Sequence, residues 1–317
     1  METFEAFERQ FPTDEACKAY IVAKRWPDGV RCPRCKSGEK IYQRKGQFFR
    51  WICCNKGCGE RRGYGFSVTT ATIFQDTKVS LKIWFKIGYL MLTAKKGISS
   101  LQVRRLMFGE HSGTDWRTAW YICHRWRAAM RGDAFPLTGE VEADETYIGG
   151  KDSNRHWAKK SAQQRKSHSK RQFKAYGDPS VSFGKVGVVG AIERKGNVVA
   201  RVIGDMDART LKSFVDRTVG DKVTLLATDE NHAYRYVDHH KGNVHQVVTH
   251  GRGEYVRGSV HTNNIENFWS LLKRGVVGTY HNVSKDYLPL YLNEFSYRHN
   301  QRNNPDAFAD LITTCGN

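Results

Sequence analysis

Residues 141–151 read VEADETYIGGK, and inside this apolar, β-prone run stand two adjacent acids, Asp144 and Glu145. A carboxylate facing the buried side of a strand is costly unless a cation or hydrogen bonds hold it, so Asp144 is read as a metal ligand. Two later stretches are suited to join it. In LLATDENHAY the apolar run 223–227 delivers Asp229 to the end of a strand, and HTNNIENFWSLLKRG carries Glu266 on a helix. Within that helix Ile265, Phe268, Trp269, Leu272 and Val276 recur at spacings of three and four, which makes one buried face. Asn263, Glu266, Ser270 and Lys273 form a second stripe beside it, so Glu266 and Lys273 project from the same side two turns apart. An ordinary amphipathic helix with a solvated charge has the same stripe; the three acids together are what point to a site.

At 317 residues the chain can bury one large domain with smaller attachments. Its 51 Lys and Arg against 32 Asp and Glu leave a formal charge of +19. Such self-repulsion makes a polyanion the expected partner, and nucleic acid is the favoured one. A membrane is the competing partner, but no apolar run approaches the length of a spanning helix and METFEAFERQ lacks a signal-peptide pattern. The expectation is a protein with no membrane partner, cytoplasmic and at the nucleoid when bound to DNA.

An N-terminal helical stretch broken at Pro12 leads into WPDGVRCPRC, whose Cys32 and Cys35 form one knuckle. About eighteen residues on, after the strand-like KIYQRKGQFFRWI, CCNKGC supplies Cys53, Cys54 and Cys58. Paired thiols at this separation resemble a zinc ribbon, in which two turns offer four thiolates to a structural zinc. Either Cys53 or Cys54 pairs with Cys58, and the other is spare. A disulfide framework is disfavoured for 8 cysteines in a chain of this length without a secretory signal. Cys17, Cys123 and Cys315 stand alone and are read as packing residues.

A helix over 81–94, the segment SSLQVRRLMF and the helix WRTAWYICHRWRAAM follow, the last capped by Thr114-Asp115. Trp116, Ala119, Trp120 and Cys123 are read as its shared face, with Arg117, Arg125 and Arg127 available elsewhere. The arrangement suggests a helix-turn-helix, though any small bundle has it. From Gly139 strands begin. The insert 151–176 carries nine Lys or Arg against one Asp, a composition suited to a surface loop lying along phosphates. Three strands, a helix over 208–219, a fourth strand ending at Asp229 and the Glu266 helix make an α/β succession.

The order Asp144, Asp229, Glu266, with 36 residues between the second and third, resembles the DDE transposases with a ribonuclease H-like catalytic core. More closely, WPDGVRCPRC, TIFQDTKVSLKIWF, EADETYIGGK, TDENHAY, NNIENFWSLLKRGVVGTYH and YLNEFSYRHNQR resemble bacterial insertion-sequence transposases of the zinc-ribbon branch related to the Merlin transposons. The resemblance covers nearly the whole chain. It implies that Asp144 and Asp229 hold catalytic Mg2+ or Mn2+, with Glu266 or Asn263 as third ligand. Glu266 is favoured, since a carboxylate supplies charge to a hard cation and an amide only a dipole. Lys273, seven residues on, matches the basic residue many of these enzymes place there, and would hold a phosphate. His261 and His281 are left as backbone contacts at most, and Arg298 and Asn300 either support the site from behind or serve the surface.

The function implied is metal-dependent cleavage at element ends and 3′-hydroxyl transfer into target DNA, by a homo-oligomer on double-stranded DNA. The alternatives are a ribonuclease H-like nuclease without strand transfer and a catalytically idle DNA-binding regulator. The expected fold is an α/β ribonuclease H-like core, a mixed sheet with flanking helices, preceded by a zinc ribbon and a small helical region. The expected divisions are an N-terminal helix (1–29), the ribbon (30–66), a helical DNA-binding region (67–133), the catalytic domain (134–283) and a C-terminal helical closure (284–317).

Overall fold

The computed structural model describes residues 3–59, 63–109, 113–132, 136–149, 185–231, 234, 244–249 and 256–316. The basic insert 151–176 lies outside the described residues. Two compact units divide the chain, one formed by 1–131 with 301–317 and the other by 132–300.

In the first unit, α1 (Phe4–Gln10) and α2 (Asp14–Arg25) flank Pro12. The hydroxyls of Thr3 and Thr13 each accept a first-turn N–H, from Ala6 and Ala16, which starts each helix. Strands β1 (Ile41–Gln43), β2 (Arg50–Cys53) and β3 (Tyr64–Ser67) pair antiparallel in that order. Trp26 packs edge-on to Trp51 at 5.4 Å, joining this small sheet to the end of α2. Helices α3 (Leu81–Thr93), α4 (Ser100–Phe108) and α5 (Trp116–Ala129) complete the unit with the final helix, Ala307–Thr314.

Two expectations are corrected here. The buried face of α5 runs through Ala119, Ile122, Cys123, Trp126 and Arg127, while Trp116 is exposed. Trp116 is the first residue of the helix and its side chain is left uncovered, while Ala119, in the same turn, is packed. Arg127 is wholly buried, its guanidinium 3.2 Å from His124 Nδ1, and Arg125 donates to the carbonyls of Ile73 and Thr72. Of the three arginines read as available, Arg117 alone is exposed. The second correction concerns 284–317, which is no single closure. Its last helix carries Phe308, whose ring meets Phe7 at 4.9 Å and Phe85 at 5.2 Å, so apolar complementarity draws it into the first unit.

The second unit is built on a five-stranded mixed sheet of β4 (Leu137–Ile148), β5 (Val186–Glu193), β6 (Val198–Ile203), β7 (Val219–Thr228) and β8 (His245–Val247). The spatial order is β6-β5-β4-β7-β8, antiparallel from β6 to β4 and parallel from β4 to β8. Strand β8, only three residues long, has too short a pattern to announce itself. Helix α6 (Ala208–Thr218) makes the crossover from β6 to β7 and covers one face, with Leu211, Phe214 and Val215 on Val141, Ala143, Val189 and Ala191. Helix α7 (Asn263–Gly275), a π-helical turn (Val276–Tyr280) and α8 (Leu288–Asn300) cover the other, with Ile265, Phe268, Leu292 and Phe295 against Val188 and Ile192. Successive side chains on a strand leave by opposite faces, so this two-sided cover dictates the near-continuous apolar run of β5 and the buried stretch 225–228 at the end of β7. Asn300 both accepts from Val198 N and donates to Val198 O, serving the edge strand β6 as a backbone partner would. Arg298 pairs with Glu294 at 3.0 Å, one turn back on α8.

Candidate active site

Strands β4 and β7 run parallel with Glu142 opposite Ala227, so two residues further on Asp144 comes level with Asp229. Carboxylate oxygens of Asp144, Glu145 and Asp229 lie within 4.8 Å of one another. Asp144 leaves β4 toward α7, where the indole N–H of Trp269 donates to its Oδ2 at 3.1 Å. Glu145 leaves by the other face, toward the buried Tyr234, whose hydroxyl donates to Glu145 Oε2 at 2.9 Å. Asn231, two residues past Asp229, donates to the other oxygen of Glu145. Here β4 outruns β7, whose last residue is Thr228, and that open edge lets acids from both faces of one strand converge.

Crowded carboxylates repel. Burial first, then the charges of Glu145 and Asp229, push the Asp144 carboxyl up to about 7. Burial and Asp229 likewise raise Glu145, against the hydrogen bonds from Asn231 and Tyr234. An anionic, all-oxygen donor set of this kind fits a hard divalent cation such as Mg2+ or Mn2+. Beside it opens a cleft of about 440 Å³ lined by Asp144, Glu145, Glu266, Trp269, Lys273 and Arg274, among others. Glu266 sits in the first turn of α7, where it accepts from Thr262 Oγ1 at 2.7 Å, and its charge contributes to the raised Asp144. Lys273 stands two turns further along the same helix. Asn263, the first residue of α7, is exposed and not part of the cleft lining among the described residues, while Glu266 lines the cleft but is not one of the three clustered carboxylates.

Deeper in the same face, the wholly buried Glu142 receives the backbone N–H groups of Asn264 and Ile265, at 2.7 and 3.2 Å, and the Asn264 side-chain amide at 2.7 Å. Arg194 Nε donates to it at 2.8 Å and His261 Nδ1 lies 3.1 Å away. Sequence reasoning missed Glu142, Glu145, Trp269 and Arg274 as parts of this site. Period-two alternation from Asp144 was a signal for Glu142, while nothing local tells that Glu145 converges with Asp229. His281 ends the π-helical turn with a φ of 59°, exposed.

In the first unit the sulfurs of Cys32, Cys35, Cys53 and Cys58 lie within 4.8 Å of one another, the four-thiolate set of a structural zinc. Along β2, Trp51 and Cys53 face inward, so Cys54 falls outside the cluster and is exposed. The backbone N–H of Ser37 leads in holding the Cys35 thiol down to about 7, while burial and then the neighbouring thiols push Cys58 up to about 12. A divalent cation among them would remove that conflict by binding all four as thiolates. Cys17, Cys123 and Cys315 are buried in packing.

Residues 136–300, just over half of the chain, match the model of the ISXO2-like transposase domain, and residues 12–61 match that of the transposase zinc-ribbon domain. Across 311 residues the chain is 27% identical to an uncharacterized protein in transposable element ISH50 of Halobacterium salinarum, covering 96% of this chain and 98% of that one. No solved structure matches the chain. Among the described residues no helix is long and apolar enough to cross a membrane.

Proposed function

The chain belongs to the ISXO2-like transposases of insertion sequences, and from that premise we propose that it is a polynucleotidyl transferase that cleaves DNA at its element's ends and joins the freed 3′-hydroxyls to target DNA. The observation that carries this reading is the convergence of Asp144, Glu145 and Asp229 where β4 and β7 run side by side, next to a cleft that Glu266 and Lys273 also line. The strand order β6-β5-β4-β7-β8, antiparallel then parallel, supports a ribonuclease H-like core.

In this reading Asp144, Asp229 and Glu266 hold Mg2+ or Mn2+. Bound divalent cations supply positive charge that activates the attacking hydroxyl and stabilises the departing oxygen at a phosphodiester. Trp269 fixes the rotamer of Asp144 by its hydrogen bond, and Tyr234 and Asn231 fix Glu145, so the carboxylates are set before DNA arrives. Lys273 and Arg274, at the cleft rim, pair with phosphate oxygens of the bound strand. In the first step water attacks the phosphorus and the P–O3′ bond breaks, leaving a 3′-hydroxyl and a 5′-phosphate. In the second that hydroxyl attacks a target phosphodiester, forming one P–O bond as another breaks. The zinc ribbon and the basic insert bind double-stranded DNA, and two copies of the chain bring two ends together. The helical region α3–α5 reads DNA as a helix-turn-helix through Arg117 rather than Arg125 or Arg127.

The test is an assay on linear DNA carrying the element's own ends, with Mg2+ or Mn2+, comparing the wild type with Asp144→Ala, Glu266→Ala and Asn263→Ala. Joined products that vanish in the first two variants and persist in the third are expected. Cut but never joined DNA would favour a nuclease. DNA bound but neither cut nor joined under either metal would leave an idle regulator.

A further inference from the structure

Glu142 is an ionisable side chain with no exposure to solvent, and the chemistry above does not use it. Four donors, the N–H groups of Asn264 and Ile265, the Asn264 amide and Arg194 Nε, converge on its two oxygens, and His261 Nδ1 lies 3.1 Å from one of them. Burying a carboxylate is strongly unfavourable unless it is paired and fully hydrogen-bonded, and here it is both. The two backbone donors belong to the first turn of α7, which α-helical bonding leaves without intrahelical partners. The residue before this helix, Thr262, makes no side-chain cap; its hydroxyl donates to Glu266. A carboxylate from a different element does the capping instead, and it favours the positive end of the helix dipole.

The spacing gives this arrangement a purpose. Glu142 and Asp144 are two residues apart on one face of β4, roughly 7 Å along the strand. Their partners on α7, Asn264 with Ile265 and then Trp269, are four to five residues apart, roughly 6–7.5 Å along the helix. The two rises match, so α7 is pinned to β4 at two points. Glu266 lies between those points in the chain. Arg194 extends the clamp into the β5–β6 turn, since it also pairs with Glu140 and donates to the carbonyl of His261 at 3.3 Å.

We propose that Glu142 is a positioning residue: it clamps the first turn of α7 to β4 and thereby sets where Glu266 stands relative to Asp144. The inference rests on the reading of these acids as a cation site for DNA cleavage. Glu142→Gln places an amide N–H among donors and so breaks the clamp with little change in volume. The clamp acts through Glu266, so its loss must matter only while Glu266 is present.

The experiment titrates Mn2+ into the full-length wild type, Glu142→Gln, Glu266→Gln and the double variant, and measures cleavage kcat and KM for end DNA in the wild type and Glu142→Gln. Glu142→Gln is expected to weaken Mn2+ binding about tenfold and to lower kcat about tenfold or more with KM within twofold, and to weaken Mn2+ binding no further in the Glu266→Gln background. Asn264→Ala, which removes one exposed amide from the clamp, is expected to shift Mn2+ binding about threefold in the same direction and decides the matter if Glu142→Gln does not fold. Unchanged Mn2+ binding in both clamp variants overturns the proposal, as does an equal loss with and without Glu266, which would mark a general fold defect. A wild type without Mn2+ binding overturns it together with the cation reading. A wild type that binds Mn2+ but neither cuts nor joins DNA sinks the transposase reading alone, and the Mn2+ titrations still judge the clamp.

Discussion

At the scale of single residues, two sites hold groups that would be more comfortable apart. Asp144 has its carboxyl raised from 3.8 to about 7, chiefly by burial. A carboxyl with a folded pKa above its unfolded value takes up a proton on folding between those limits, so the metal-free chain loses stability as pH rises from about 4 through about 7 and no further beyond. Asp144→Asn removes that cost. In chelator its melting temperature is expected to exceed the wild type's at pH 8, by the equivalent of roughly 2–4 kcal/mol, and to match it near pH 4. With Mg2+ the gain at pH 8 should shrink, because only the wild type is stabilised by the cation. The same logic applies to the thiols, where inward-facing Cys53 joins Cys32, Cys35 and Cys58 and outward-facing Cys54 does not. Cys54→Ser is expected to keep one zinc per chain by metal analysis, whereas Cys53→Ser or Cys58→Ser loses it and melts the ribbon. A zinc-free Cys54→Ser protein would move the fourth ligand to that position.

At the scale of elements, the site depends on how closely α7 lies against the sheet. Gly190 on β5 is the register partner of Asp144, and a Cβ there would meet two ring carbons of Trp269 at 2.7 Å and Ile265 Cδ1 at 3.2 Å. The absence of a side chain lets the indole lie over the strand and reach Asp144. Gly190→Ala is therefore expected to cost about 1–3 kcal/mol in chemical denaturation and to weaken Mn2+ binding as Trp269 is displaced. Gly187→Ala on the same strand meets Met206 Cε and Ile203 Cγ1 at 3.3 Å and the Ile203 carbonyl oxygen at 3.6 Å, and is expected to cost less than Gly190→Ala, about 1 kcal/mol at most. Equal losses in the two variants would show that the strand, not the packing of Trp269, is what suffers. On α5 periodicity named the helix and put Ala119 and Cys123 on its covered face, but it placed Trp116 there too and left Arg127 outside, whereas Trp116 is exposed and Arg127 is buried against His124. A 3.6-residue repeat fixes which residues share a face, while the packing partners decide which face is covered.

For the molecule as a whole, a net charge of +19 against a polyanion makes binding a matter of counter-ion release. DNA affinity is expected to fall steeply with salt. Deletion of 151–176, with nine Lys or Arg and one Asp, is expected to flatten the log–log slope by several units, at up to about 0.9 for each phosphate that is no longer neutralised. An unchanged slope would place the DNA-binding surface elsewhere. The amino-acid sequence by itself determined the chemistry on offer: thiols at ribbon spacing, a carboxylate in a β-prone run, a second acid at a strand end and a third on an amphipathic helix. These are local properties, set by residue type and by periods of 2 and 3.6, and they survive without any knowledge of distant neighbours. Tertiary structure alone decided which of those groups meet. The parallel register of β4 and β7 brings Asp144 level with Asp229, the open edge beyond Thr228 lets Glu145 join them, and two-point pinning of α7 sets Glu266 beside the cleft. Such juxtapositions depend on strand order and helix docking between residues more than eighty positions apart, as between Glu145 and Tyr234, which are 89 apart. No local pattern encodes a separation of that kind, because the free energy that sets it comes from burying two faces of one sheet at once.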